Sequence, residues 1–112
     1  MTLLEAKDFL RGKYFSNCKT KKDVQEVLGQ YSLDCFGEKN SKKATAELQK
    51  IQTKIMRKNP TPTPEAMNAM FNEFGTYVKK KKLALKDDFN PVTFVIMTIV
   101  AAEVEEELTD AE

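Results

Sequence analysis

Asn90-Pro91-Val92-Thr93-Phe94-Val95-Ile96-Met97-Thr98-Ile99-Val100-Ala101-Ala102, running on into Glu103-Val104-Glu105-Glu106-Glu107-Leu108, is the most apolar stretch of the chain, and its reading decides the fold. Asn90 is a good helix N-cap, and Pro91 suits the first helical position, where its missing N–H costs nothing. No glycine or further proline interrupts the run from Val92 to Leu108, and Ala101 to Leu108 favours helix. Val92, Thr93, Val95, Ile96, Thr98, Ile99 and Val100 are β-branched and pull toward a strand. Length arbitrates, because a strand is typically ~5–6 residues. The whole element is therefore predicted to be a helix, and a strand followed by a helix is the alternative.

A helix this apolar on nearly every face is either surrounded by its own domain or buried in an oligomer interface. It does not span a membrane: Val92 to Ala102 is 11 residues, against the roughly 20 that a bilayer requires. The fold expected around it is an all-α bundle of four to five helices with this C-terminal helix central. The alternative is an α+β fold with a hairpin over about 77–100.

Toward the N-terminus, Asn59-Pro60-Thr61-Pro62-Thr63-Pro64 breaks any helix and reads as a stiff connector. Thr63 caps the helix after it, with Pro64 at its first position. Met67, Met70, Phe71, Phe74, Tyr77 and Val78 make a soft, bulky face on that helix, weakened near its middle by Gly75. Lys79 to Lys82 extend it or begin a strand through Leu85, and Lys86 to Phe89 turn into the final element. Before the connector, a helix capped by Asn40 or Ser41 runs to about Lys58. Ala44, Leu48, Ile51 and Ile55 form its apolar face, and Lys43, Lys50, Lys54 and Arg57 line up beside it.

Thr2 opens a first helix to about Tyr14, with Leu3, Ala6, Leu10 and Tyr14 on one face. Thr20 and Asp23 open a second, which Gly29 terminates. Leu33, Cys35 and Phe36 then form an apolar connection that plugs the core, with a turn over Gly37 to Asn40 after it.

The chain is one domain of 112 residues, long enough for a core without disulfides. An N-terminus without a basic region and apolar segment, and two cysteines (Cys18 and Cys35) outside any metal or redox spacing, predict a cytoplasmic protein with reduced thiols. There is no histidine, which removes Ser-His-Asp and Cys-His catalysis and histidine metal ligation. The four glycines stand far apart, so no Gly-rich loop cradles a phosphate. No enzyme activity, cofactor or metal is expected.

Net charge is +1, unevenly spread. Residues 1–102 carry 18 Lys+Arg against 11 Asp+Glu, a net +7, and residues 103–112 carry six acids and no base. Glutamates at a helix C-terminus oppose the helix dipole. The acidic tail at 103–112 is therefore expected either to fray or to contact a basic surface, its own or a partner's.

Two short stretches resemble DNA-binding families. Thr20-Lys21-Lys22-Asp23-Val24-Gln25-Glu26-Val27-Leu28-Gly29 resembles the first helix and turn of a helix-turn-helix unit, which implies a recognition helix after Gly29. Gln25 departs from the small residue of that pattern, and Glu38 falls where the recognition helix is apolar. Phe74-Gly75-Thr76-Tyr77, with Asn90-Pro91-Val92-Thr93, is similar to the bacterial histone-like DNA-bending proteins, which carry a Phe-Gly-Thr-Phe strand and an Asn-Pro-x-Thr arm tip. The resemblance implies a strand at 74–77, but the glycines around the arm are absent here.

These readings converge on a small non-catalytic protein-binding module, an adaptor or inhibitor of the kind that suits a phage or mobile-element accessory protein. Its expected contact surface is Met67, Met70, Phe71 and Phe74, with Ile96 and Val100 on the final helix, which would also serve a homodimer. The alternative is a nucleic-acid-binding protein that uses Lys43, Lys50, Lys54 and Arg57 together with Lys79, Lys80, Lys81 and Lys82.

Overall fold

The computed structural model describes residues 2–58, 63–85 and 89–111, and among them the protein is all-α. Its elements are α1 (Leu3–Leu10), a π-helical segment (Arg11–Phe15), α2 (Lys21–Lys58), α3 (Pro64–Lys81) and α4 (Pro91–Ala111), with no strand among the described residues. Most of the connector expected at 59–64, and residues 86–88 of the expected turn before α4, lie outside the described residues. None of the described helices is long and apolar enough to cross a membrane.

The helix starts reflect local chemistry. The first backbone N–H groups of a helix lack intrahelical acceptors, and a short polar side chain just before it can supply one. Thr2 Oγ1 accepts from the Glu5 N–H at 3.1 Å, and Thr63 Oγ1 from the Ala66 N–H at 3.1 Å. Asn90 Oδ1 accepts from the Val92 N–H at 3.0 Å and lies 3.4 Å from the Thr93 nitrogen. At α2 the bonding is reciprocal. Thr20 Oγ1 accepts from the Asp23 N–H, while Asp23 Oδ2 accepts from the Lys19 and Thr20 N–H groups. Those two backbone donors hold the Asp23 carboxyl below its ordinary pKa.

Residues 91–100 are helical, so the 77–100 hairpin does not form. Four consecutive residues of α4, Phe94 to Met97, are buried. Burying apolar side chains on every side of a turn outweighs the few tenths of a kcal/mol by which each β-branched residue disfavours helix.

Two boundaries differ from the sequence reading. The α-helical part of the first element ends at Leu10, and Arg11 to Phe15 continue it as one π-helical turn. Leu10 and Phe15 are both buried, and Tyr14 is half-buried.

The second helix does not stop at Gly29, and no turn at 30–33 separates two helices as the helix-turn-helix resemblance implies. Helix runs on through Leu33, Cys35 and Phe36, and the break falls at Gly37, with φ 80° and ψ 167°. That conformation is essentially confined to glycine. Phe36 is fully buried, as a core plug should be, but it plugs from a helix.

The chain divides into two compact units, Met1–Tyr31 with Ile96–Glu112, and Ser32–Val95. In the first, α1 and the π-helical segment are tied to α4 by Lys7–Glu103 at 2.5 Å and by Arg11–Glu107. Lys7 of α1 and Arg11 at the start of the π-helical segment, four residues apart, thus match glutamates four residues apart on α4. Gln25 donates to Glu105, and Tyr14 meets Tyr31 edge to face at 5.4 Å. The acidic end of α4 therefore contacts basic side chains of its own chain. Glu107 is held below the ordinary carboxylate pKa by its hydrogen bond from Arg11, whose own pKa that bond raises.

In the second unit, Phe36, Phe74, Phe89 and Phe94 form one aromatic cluster. Phe74 and Phe94 stack at 5.4 Å between ring centroids, and Phe36 meets Phe94 edge-on at 5.0 Å. Ala44, Leu48, Ile51 and Ile55 are all buried, as their spacing predicts. The break at Gly37 is closed by the segment after α3. The Leu85 N–H donates to the Cys35 carbonyl at 2.9 Å, an acceptor that a continuous helix would have used internally. The Ser32 hydroxyl reaches past the break to Ser41, at 2.7 Å.

Candidate functional site

The lysine run ends α3 in a Schellman motif. Lys82 adopts the left-handed conformation at φ 54° and ψ 47°. The Leu83 N–H donates to the Val78 carbonyl and the Lys82 N–H to the Lys79 carbonyl, with Val78 and Leu83 both buried beneath. Glycine is the usual residue at that position, and a side chain there costs roughly 1–2 kcal/mol. Lys79 and Lys82 are one turn apart, and both line an open groove.

The groove occupies about 830 Å³, at the upper end of the range of ligand sites. Phe71, Gly75 and Val78 of α3, Ala84 and Phe89 of the connecting segment, and Pro91 and Val92 of α4 supply its apolar walls. Asn72, Thr76, Lys79 and Lys82 supply its polar groups. Its depth depends on the close approach of α3 to the start of α4. A Cβ on Gly75 would lie 3.1 Å from Pro91 Cγ, closer than side chains ordinarily pack. Gly75 interrupts nothing, and α3 runs unbroken through it. Phe74 to Tyr77 are therefore helical, and Asn90 is a helix cap, so the strand and arm tip of the histone-like DNA-bending proteins are not formed.

Of the six side chains expected to make a partner surface, five are taken up by the protein itself. Met67, Met70, Phe74, Ile96 and Val100 are all 5% exposed or less. Phe71 is half-buried and faces the groove. The neighbouring exposed apolar groups are Val92 on the groove wall and Leu85 at the Gly37 break. Gly75, Thr76, Ala84 and Pro91 line the groove without having been expected at a protein-binding surface. The one local hint was a glycine inside an otherwise sound helix pattern.

The lysines fall on two helices, the second half of α2 and the end of α3. Lys43, Lys50, Lys54 and Arg57 are exposed along the second half of α2. Lys50, Lys54 and Arg57 edge a shallow depression with Ala46, Gln49 and Thr53. Lys54 pairs with Glu73 of α3 at 2.5 Å. Lys79 and Lys82 belong to the groove, and Lys80 and Lys81 are exposed.

No disulfide joins Cys18 and Cys35, and both are half-buried. Burial, with Asp23 nearby, pushes the Cys18 thiol above its ordinary pKa, which disfavours the nucleophilic thiolate. Among the described residues no three His, Cys, Asp or Glu side chains gather as metal ligands.

No family model matches the chain, and no curated protein or solved structure shows significant similarity to it.

Proposed function

We propose that the protein is a small non-catalytic protein-binding module, an adaptor or inhibitor, and that it receives its partner in the groove between α3 and the start of α4. The occupant is a short amphipathic segment with a bulky apolar anchor and two carboxylates about one turn apart. The apolar walls take the anchor, and Lys79 and Lys82, three residues apart, meet the carboxylates. The observation that carries the reading is Lys82. A lysine kept in a backbone conformation that glycine would adopt without strain points to a role for its side chain, because strain of this kind collects at binding sites.

The Met/Phe face enters this reading only through Phe71, since a buried side chain meets a partner only if the fold opens. Charge acts here mainly on specificity and encounter rate, and the apolar anchor supplies most of the affinity.

The test is a display library of amphipathic helical peptides with paired carboxylates, panned on the wild type and then measured against Val92→Asp. Val92 is exposed, so the variant should keep its fold and its urea midpoint. Peptides that bind the wild type and lose at least tenfold on Val92→Asp support the groove. Failure to enrich any peptide, or equal binding to both proteins, overturns it.

A further inference from the structure

We infer that residues 38–58 of α2 carry a second site, independent of the groove, that takes the phosphate backbone of duplex nucleic acid, and that Glu73 competes for it from within the chain. At 3.6 residues per turn, Lys39, Lys43, Lys50, Lys54 and Arg57 fall within an arc of about 60°. All five are exposed. They run along roughly 27 Å of helix, at 1.5 Å per residue. The acid nearest that arc on the helix, Glu47, falls just outside it and is half-buried, so the exposed strip is cationic along its length.

The strip also has a shaped part. Lys50, Lys54 and Arg57 edge a depression of about 510 Å³ that also presents the Gln49 amide and the Thr53 hydroxyl. Phosphate oxygens accept from all of these groups, and the Arg57 fork suits a phosphate in two-pronged fashion. No aromatic side chain lines the depression, so base stacking contributes nothing. That favours a duplex, read by charge and shape without sequence preference, over a single strand.

The Lys54 ammonium at the edge of the depression is already occupied. It lies 2.5 Å from Glu73, with 62% and 39% of the two side chains exposed. A phosphate approaching Lys54 displaces a carboxylate held by an exposed ion pair. Glu73 therefore lowers the affinity of the strip without touching the ligand.

The experiment is fluorescence anisotropy with a labelled duplex of about 20 base pairs across a salt series, on the full chain. Four to five phosphate contacts predict a slope of log affinity against log salt of about −3.6 to −4.5. Lys50→Glu with Lys54→Glu should lower affinity at least tenfold and flatten the slope by about 2. Glu73→Gln should raise affinity about two- to five-fold, the fold-change that an exposed ion pair represents. Val92→Asp in the groove should leave duplex binding unchanged. Urea midpoints check that each variant is folded. No binding at low salt, no response to Glu73→Gln in a folded protein, or loss only when Lys80 and Lys81 are reversed would each overturn the proposal. So would displacement of the duplex by polyglutamate as effectively as by unlabelled duplex, which would make the strip a site for acidic protein.

Discussion

At Phe94, α4 is gripped by rings: Phe74 stacks on it and Phe36 meets it edge-on, all three almost wholly buried. At Glu103 and Glu107 the same helix is held by Lys7 and Arg11 through side chains between a quarter and just over half exposed. Dry apolar contacts carry no charge to titrate or to screen, and exposed ion pairs respond to both pH and salt. The two stretches should therefore fail under different conditions, and a variant in one should leave the sensitivities of the other unchanged.

The largest effect belongs to the rings. Phe94→Ala removes a fully buried aromatic and should cost about 3–5 kcal/mol in urea unfolding, with little change in that cost between about pH 4 and 7. A cost below about 1 kcal/mol would mean that the cluster is not the anchor of Ser32–Val95. Next comes the break in α2. Gly37→Ala forces a side chain into a glycine-only conformation and brings its Cβ to 3.2 Å from Leu85. It should cost about 1–3 kcal/mol, and Leu85→Ala in the same protein should return only the steric part.

The smallest effects belong to the charged stretch and are read through pH. Glu107 and Asp23 have carboxyl pKa values lowered by folding. Their contribution is present above the ordinary carboxylate pKa of about 4 and is lost as pH falls below it, through their folded values. Hydrogen exchange should show residues 96–108 losing protection as pH falls below roughly 4, before the ring cluster does. Glu107→Gln should flatten that pH response, and roughly 1 M salt should weaken the pair in the wild type. Full retention of the pH response in Glu107→Gln would remove Glu107 from the account.

Much of this organisation was legible in the sequence, and the physical reason is range. Caps bond to backbone two or three residues away, so Thr2, Thr20, Thr63 and Asn90 announced their helices. The Ala44, Leu48, Ile51, Ile55 face was equally local. Gly29 was misread because a glycine costs only about 1 kcal/mol in a helix interior, which packing elsewhere on α2 readily exceeds. The break at Gly37 was legible as the start of a turn, but the return of the chain at Leu85 to bond the freed Cys35 carbonyl was not, since no window of neighbouring residues contains both.

Periodicity showed that Met67, Met70, Phe71 and Phe74 share a side of α3. It could not show that the chain itself covers most of them. The groove was hidden for the same reason, since Gly75 and Pro91 meet only in the folded protein.

Lys82→Gly tests the central claim most directly, because strain and binding are tied to one residue there. Replacing a left-handed lysine with glycine should raise stability by about 1 kcal/mol in urea unfolding. The same change should weaken capture of an acidic amphipathic peptide selected on the wild type by several-fold. A protein both more stable and less able to bind is the predicted result. A variant that loses stability, or that gains it and binds the peptide as well as before, would contradict the account.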